Sequence, residues 1–182
     1  MTFRSMKSLL TVVVVSCLPA IGFSEDTKTD AKTEAPTFQS TCVNAWMGRN
    51  TEITDKMDFK NFGEKYCKCA ETQQPLDTQE AINKAAQVCM SRTILQDAMD
   101  NVEENVGLDK VTSKDIDDSC HNRWLLVYPK MDENDKKIAT SYCDCADPKL
   151  VDLSKNSEKM TDDEYYKEIY KIAATCSGKE GK

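Results

Sequence analysis

The chain is short of the residues that most often carry catalysis, phosphate binding and sharp turns. Among 182 residues there is one histidine, with six glycines and five prolines. A lone histidine supplies neither a second imidazole for a metal site nor a nucleophile–base–orienter set. No Gly-rich phosphate loop is present. Aromatic residues make up 7%, and with so little Val, Ile and Phe an extensive β-sandwich is excluded in favour of a helix-rich, water-soluble chain. Basic charge is outnumbered: 24 Lys and Arg face 31 Asp and Glu, for a formal net charge of −7. Nucleic acid and anionic membrane both demand a basic surface, so neither is expected as the main partner. A long hydrophobic run is missing too. The apolar stretch Leu9 to Ile21, about 13 residues, falls short of the roughly 20 needed to span a bilayer.

Cysteine is the residue present in excess. Nine in a chain of this length are high for the reducing cytosol, and the length itself allows one medium domain or two small ones. The N-terminus accounts for the compartment. Arg4 and Lys7 precede the apolar run, and Gly22-Phe23-Ser24 offers small residues for cleavage before Glu25, so residues 1–24 read as a secretory signal. Val14-Val15-Ser16-Cys17 also resembles a bacterial lipobox, in which Cys17 would be lipidated and become the first residue. Either cleavage leaves eight cysteines for folding, an even number in an oxidising compartment. Zinc held by four cysteines would need reduced thiolates, typically at Cys-x-x-Cys spacing, and that spacing is absent. Methionines are scattered rather than clustered for copper, and no Asp/Asn–Gly calcium loop occurs. No cofactor is expected.

Residues 25–36 (EDTKTDAKTEAP) are charged and free of large apolar side chains, the composition of a flexible tether. Beyond them three blocks recur in the same order, about 80 residues apart, longer than most short helical repeats. Phe38, Cys42, Asn44 and Trp46 match Ile116, Cys120, Asn122 and Trp124. Tyr66-Cys67-Lys68-Cys69-Ala70 matches Tyr142-Cys143-Asp144-Cys145-Ala146. Ile82, Lys84, Ala86 and Cys89 match Ile169, Lys171, Ala173 and Cys176. Each block has helical spacing, with Phe38, Cys42 and Trp46 on one stripe and Phe59, Phe62, Tyr66 and Cys69 on another. Asp77 and Thr161 are the expected N-caps of the third helices.

The pattern predicts an all-α chain of tandem duplicated three-helix modules, 37–92 and 111–182, joined by a linker helix within 93–110. Gly107 would stop the linker helix, and Thr112 with Asp115 would cap the next. Seven helices are expected. The repeat core comprises Phe38, Trp46, Tyr66 and Ile82 with their counterparts Ile116, Trp124, Tyr142 and Ile169.

Side chains two apart on a helix point about 200° apart. Cys67 and Cys69 therefore reach two different neighbours, as do Cys143 and Cys145, so each central helix is stapled on both sides. Cys42 and Cys89 each take one of the first pair, and Cys120 and Cys176 each take one of the second. Spacing leaves open which takes which. His121 is expected to face solvent, since Val43 stands at the matching position. Asn44 and Asn122 are candidates for a buried amide bonded to a neighbouring helix, or for an interaction site.

The Tyr-Cys-x-Cys pattern resembles one found in small exported bacterial proteins, a resemblance that implies no activity. The expected function is non-catalytic: an exported, secreted or periplasmic binding module. Its partner is another protein in the cell envelope or outside the cell, docked in a groove between the modules. A periplasmic thiol–disulfide oxidoreductase using a Cys-x-Cys pair is the alternative, and a small-ligand or metal carrier the second alternative.

Overall fold

Six helix starts carry the local chemistry that makes them. In the computed structural model, which describes residues 36–49 and 55–178, the N-caps are Thr37, Asp55, Thr78, Thr112, Asp132 and Thr161. Each cap side chain accepts a hydrogen bond from a first-turn amide, satisfying donors that a helix N-terminus otherwise leaves orphaned. Thr112 with Asp115, Asp132 with Asp135 and Thr161 with Glu164 form reciprocal capping boxes. Thr78, not Asp77, caps the third helix. The signal, the lipobox and nearly all of the tether lie outside the described residues.

The helices are α1 (Phe38–Met47), α2 (Lys56–Glu71), α3 (Gln79–Asn105), α4 (Ser113–Val127), α5 (Glu133–Ser154) and α6 (Asp162–Ser177), with a single 3-10 turn, Ser157–Lys159, before α6. Among the described residues no strand occurs. The expected count of seven helices is corrected to six because the segments 82–89 and 94–106 form one 27-residue helix, α3. Met90-Ser91-Arg92-Thr93 contains neither Gly nor Pro to interrupt it. Ser91, Thr93, Ile94, Leu95, Asp97, Ala98 and Met99 are all buried, so α3 is covered on every side along this stretch, as a central helix is. It packs against α2, α4 and α6. It stops at Gly107, whose φ of 87° and N–H to Val102 carbonyl bond of 3.1 Å close the helix in the left-handed form that glycine adopts freely.

Two disulfides flank each Cys-x-Cys helix. Cys42–Cys67 joins α1 to α2 and Cys69–Cys89 joins α2 to α3; Cys120–Cys143 joins α4 to α5 and Cys145–Cys176 joins α5 to α6. The first cysteine of each pair thus reaches back along the chain and the second reaches forward. Four disulfides mark a chain that folds in an oxidising environment, and no helix among the described residues is long and apolar enough to cross a membrane.

One continuous core holds Trp46, Phe59, Phe62, Ile94, Leu95 and Met99 together with Ile116, Tyr142, Leu150 and Ile169. Ile82 does not join it and is 43% exposed. Cys89 is tied to Cys69 near the end of α2, and Ile82 sits about 10 Å further toward the start of α3 by helical rise. At that level α2, which ends at Glu71, no longer covers α3. Phe38, Tyr66 and Trp124 are half-buried.

The faces between α3 and its neighbours α4, α5 and α6 are joined by polar groups as well as apolar ones. Tyr142 donates to the Ser91 carbonyl (2.7 Å), Tyr166 to Asp100 Oδ1 (3.0 Å), Tyr170 to Gln96 Oε1 (2.9 Å) and Ser119 to the Ala98 carbonyl (3.0 Å). Burial raises the Tyr66, Tyr165, Tyr166 and Tyr170 hydroxyls above the ordinary tyrosine value of 10.0. For Lys65 burial acts the other way, but hydrogen bonds to Asp100 and Asp97 outweigh it and hold the ammonium above 10.5. In every case the folded state keeps its proton longer than the unfolded chain. The stability linked to these groups is therefore complete below about pH 10 and is lost as pH rises through the higher folded values. Thermal unfolding followed from pH ~8 to ~11 should show a level midpoint up to about 10 and a fall beyond; a midpoint rising above pH 10 would contradict this linkage.

Candidate functional site

The cysteines are structural first. All eight in the described residues are paired, and thiol chemistry requires an accessible thiolate. Cys67 and Cys89 are 0% exposed and Cys120, Cys143 and Cys176 are 1% exposed. Among the described residues no group of His, Cys, Asp and Glu is arranged to hold a metal ion. His121 is half-buried rather than fully solvent-facing, because its Nδ1 lies 3.0 Å from the Asp117 carbonyl and 3.3 Å from Asp117 Oδ1 one turn earlier.

Asn44 and Asn122 are both exposed, which corrects the buried-amide expectation. The reason lies in the motif itself. In Cys-x-Asn-x-Trp the asparagine is two positions from both the Cys and the Trp, so it points about 200° away from the face that buries them. Asn44 lines a shallow cleft with Lys65 and Lys68 between α1 and α2; Asn122 lies on the outer side of α4.

The two tryptophans behave differently, and that difference creates a site. Trp46 is 2% exposed, stacks on Phe59 and Phe62 at centroid distances of 5.0 and 5.5 Å, and donates Nε1–H to the Phe59 carbonyl at 2.9 Å. It reaches this position because α2 carries Gly63 beneath the ring; a Cβ there would meet Trp46 Cδ1 at 2.3 Å. Counting from Tyr66 and Tyr142, the residue matching Gly63 is Ala139. Ala139 is buried, and a methyl group at that position would bar the approach that Gly63 allows Trp46. Trp124 instead meets Tyr142 edge-on at 5.8 Å and stacks on Tyr128 at 5.8 Å. Its Nε1–H is buried with no hydrogen-bond partner, a state that costs about 1–3 kcal/mol when left unrelieved.

Trp124 forms one wall of a groove of about 310 Å³, with Arg49, Tyr66, Gln87, Met90 and Tyr128. Three aromatic rings and a methionine give it an apolar body with polar tips, the surface chemistry that binding sites favour. Among the described residues no carboxylate lines it, in a chain whose net charge is −7. The adjoining cleft, which shares Gln87, Ser91 and Ser177 and adds Lys84 and Arg92, has none among the described residues either. Arg49 is placed by its guanidinium lying 5.0 Å from the Trp46 ring, and Arg92 by lying 5.1 Å from the Tyr170 ring, each a cation–π contact.

A charged cleft on another face was not visible in the spacing. Asp97, with a side chain 8% exposed, lies between Lys65 at 2.5 Å and Arg123 at 3.1 Å. Lys65 also bonds Asp100 at 2.6 Å, and Arg123 reaches Asp58 at 3.3 Å. One carboxylate buried against two cations bridges α2, α3 and α4, and its role is structural: without it Lys65 would keep only Asp100 and Arg123 only the more exposed Asp58, and the tie between the three helices would be lost. A faint signal existed. The chain has only four arginines, and the three in the described residues all stack on rings or bridge helices.

Fold and pairing define a class: a small all-helical protein stapled by four disulfides, bearing a groove walled by aromatic rings. No protein-family model matches the chain, and no significant similarity links it to a curated protein or a solved structure.

Proposed function

We propose that this chain is an exported, tandemly duplicated binding protein that works without catalysis, and that the Trp124 groove receives an extended segment of a protein partner. Export is supported by the signal-like residues 1–24 together with the four disulfides. Duplication is supported by the shared pairing rule, in which the first cysteine of each Cys-x-Cys reaches back and the second forward. It is supported too by Trp46 meeting Tyr66 at 5.1 Å while Trp124 meets Tyr142 at 5.8 Å. On this reading α3 serves both as the third helix of the first module and as the connector, and the groove draws its walls from both modules.

The observation that carries the binding role is the unpartnered Trp124 N–H in the wall of an aromatic groove that has Arg49 and, among the described residues, no carboxylate. Such a lining suits an apolar side chain beside a carbonyl or carboxylate, as at the C-terminus of a peptide. A small tilt of the half-exposed indole would give the acceptor its donor. Selection from a random heptapeptide library displayed with free C-termini should enrich apolar residues next to the terminal carboxylate. Trp124→Phe keeps the aromatic face and removes the donor; it should weaken the selected peptides about tenfold, the effect of one hydrogen bond to a charged acceptor. Absence of enrichment, or unchanged affinity in both Trp124→Phe and Arg49→Gln, would reject the groove as the docking site.

A further inference from the structure

At the opposite end of α3 a second cleft has the reverse chemistry. It has a volume of about 480 Å³ and lies where the end of α3 meets the 3-10 turn and the start of α6. Glu103, Asp109, Glu158 and Asp162 line it, together with Tyr165 and Tyr166. None of these four carboxylates is paired with a Lys or Arg among the described residues, although Lys and Arg side chains are plentiful elsewhere on the surface. Like charges gathered without counter-charges repel one another, and a bound cation relieves that repulsion.

Tyr165 adds an independent pointer. It is 7% exposed, it lines this cleft, and its hydroxyl is buried with no hydrogen-bond partner. Burial, and after it the charge of Glu103, one of the lining carboxylates, hold its proton in place. A tyrosine in this setting offers an oxygen to accept from an ammonium and a ring face for cation–π attraction. Tyr166 is held beside it by its bond to Asp100 at 3.0 Å.

A bare divalent ion fits poorly. Calcium or magnesium takes oxygens at about 2.0–2.6 Å, and no three acidic or imidazole side chains among the described residues converge closely enough to chelate one. Carboxylates spaced around a cleft with aromatic walls suit a larger cation that donates hydrogen bonds in several directions. We infer that this cleft binds a small organic cation bearing primary ammonium groups, of the polyamine class, at a site separate from the Trp124 groove.

Titration calorimetry of the full-length protein with spermidine at low ionic strength tests this. Saturable binding of one spermidine per chain is expected, weakened about tenfold in the double variant Glu103→Gln/Glu158→Gln, each lost charge accounting for a few-fold. Neither glutamate caps a helix, and their neutralisation relieves the mutual repulsion, so the unliganded melting temperature should hold or rise slightly. Tyr165→Phe should weaken binding a few-fold with the fold intact. A parallel titration with N-acetyl-lysine amide separates sources: binding of both compounds, lost together in the double variant, assigns the ammonium group itself as the feature read, whereas spermidine alone assigns the polyamine. Three results would overturn the site: no saturable binding, magnesium binding as tightly as spermidine, or binding indifferent to the double variant, which is the behaviour of a counter-ion cloud around an acidic protein.

Discussion

Reduction of the four disulfides is expected to abolish the helical circular-dichroism signal in native buffer, and loss of one bond to cost several kcal/mol. The bonds close stretches of 25, 20, 23 and 31 residues. By chain-entropy reasoning each contributes about 3 kcal/mol, mainly by restricting the unfolded chain. Four such terms, about 12 kcal/mol, are as large as the roughly 5–15 kcal/mol net stability of a single domain. The paired replacement Cys42→Ser/Cys67→Ser should therefore lower the melting temperature by roughly 10 °C. Reduction should proceed in order of access. Cys42, Cys69 and Cys145 are half-buried and their bonds should open first, while Cys120–Cys143, with both residues 1% exposed, should open last. One pair reduced easily with the helices intact would point instead to thiol exchange as the working chemistry.

Gly63→Ala should destabilise the protein by about 2–3 kcal/mol. An added Cβ would lie 2.3, 2.7 and 2.7 Å from Cδ1, Cγ and Nε1 of Trp46, the rigid centre of an indole fixed by its bond to Phe59 and by stacking on three rings. The ring cannot give by tenths of an ångström; it must leave. Expelling a buried aromatic approaches the 3–5 kcal/mol of roughly a Trp→Ala change, and alanine's better helix propensity returns about 1 kcal/mol. Ala139→Gly in α5 meets no such ring and should cost only about 1 kcal/mol. Denaturant midpoints for the two variants make the comparison, and equal midpoints would mean that the Trp46–Gly63 approach is not what separates the two tryptophans.

Much of the site lay outside the reach of spacing. The motif Cys-x-Asn-x-Trp is written identically at Cys42 and Cys120, yet one indole is sealed and the other forms a groove wall. The deciding residues, Gly63 and Ala139, belong to a different helix. Arg49, Gln87 and Tyr128 reach the groove from three separate segments, and no period in any one of them marks this. Lys65, Asp97 and Arg123 meet only because α2, α3 and α4 are packed together.

Local rules also gave way where burial was strong. Pro148 would by itself end a helix near Asp147; α5 continues to Ser154 because Leu150 and Leu153 are buried beyond it. Ile82 has the right period for the core and lies outside it, since its helix begins before its neighbour is there to cover it.

The sequence by itself determined the all-helical class, the caps Thr112 and Thr161 and a cysteine chemistry that demands four bonds. These follow from local periodicity and from counting, which need no knowledge of how distant segments meet. Tertiary structure alone decided which cysteine takes which, that α3 is one central helix, and which tryptophan lines a groove. Those outcomes depend on side chains far apart in the chain competing for the same space, and that competition is settled only when the helices pack.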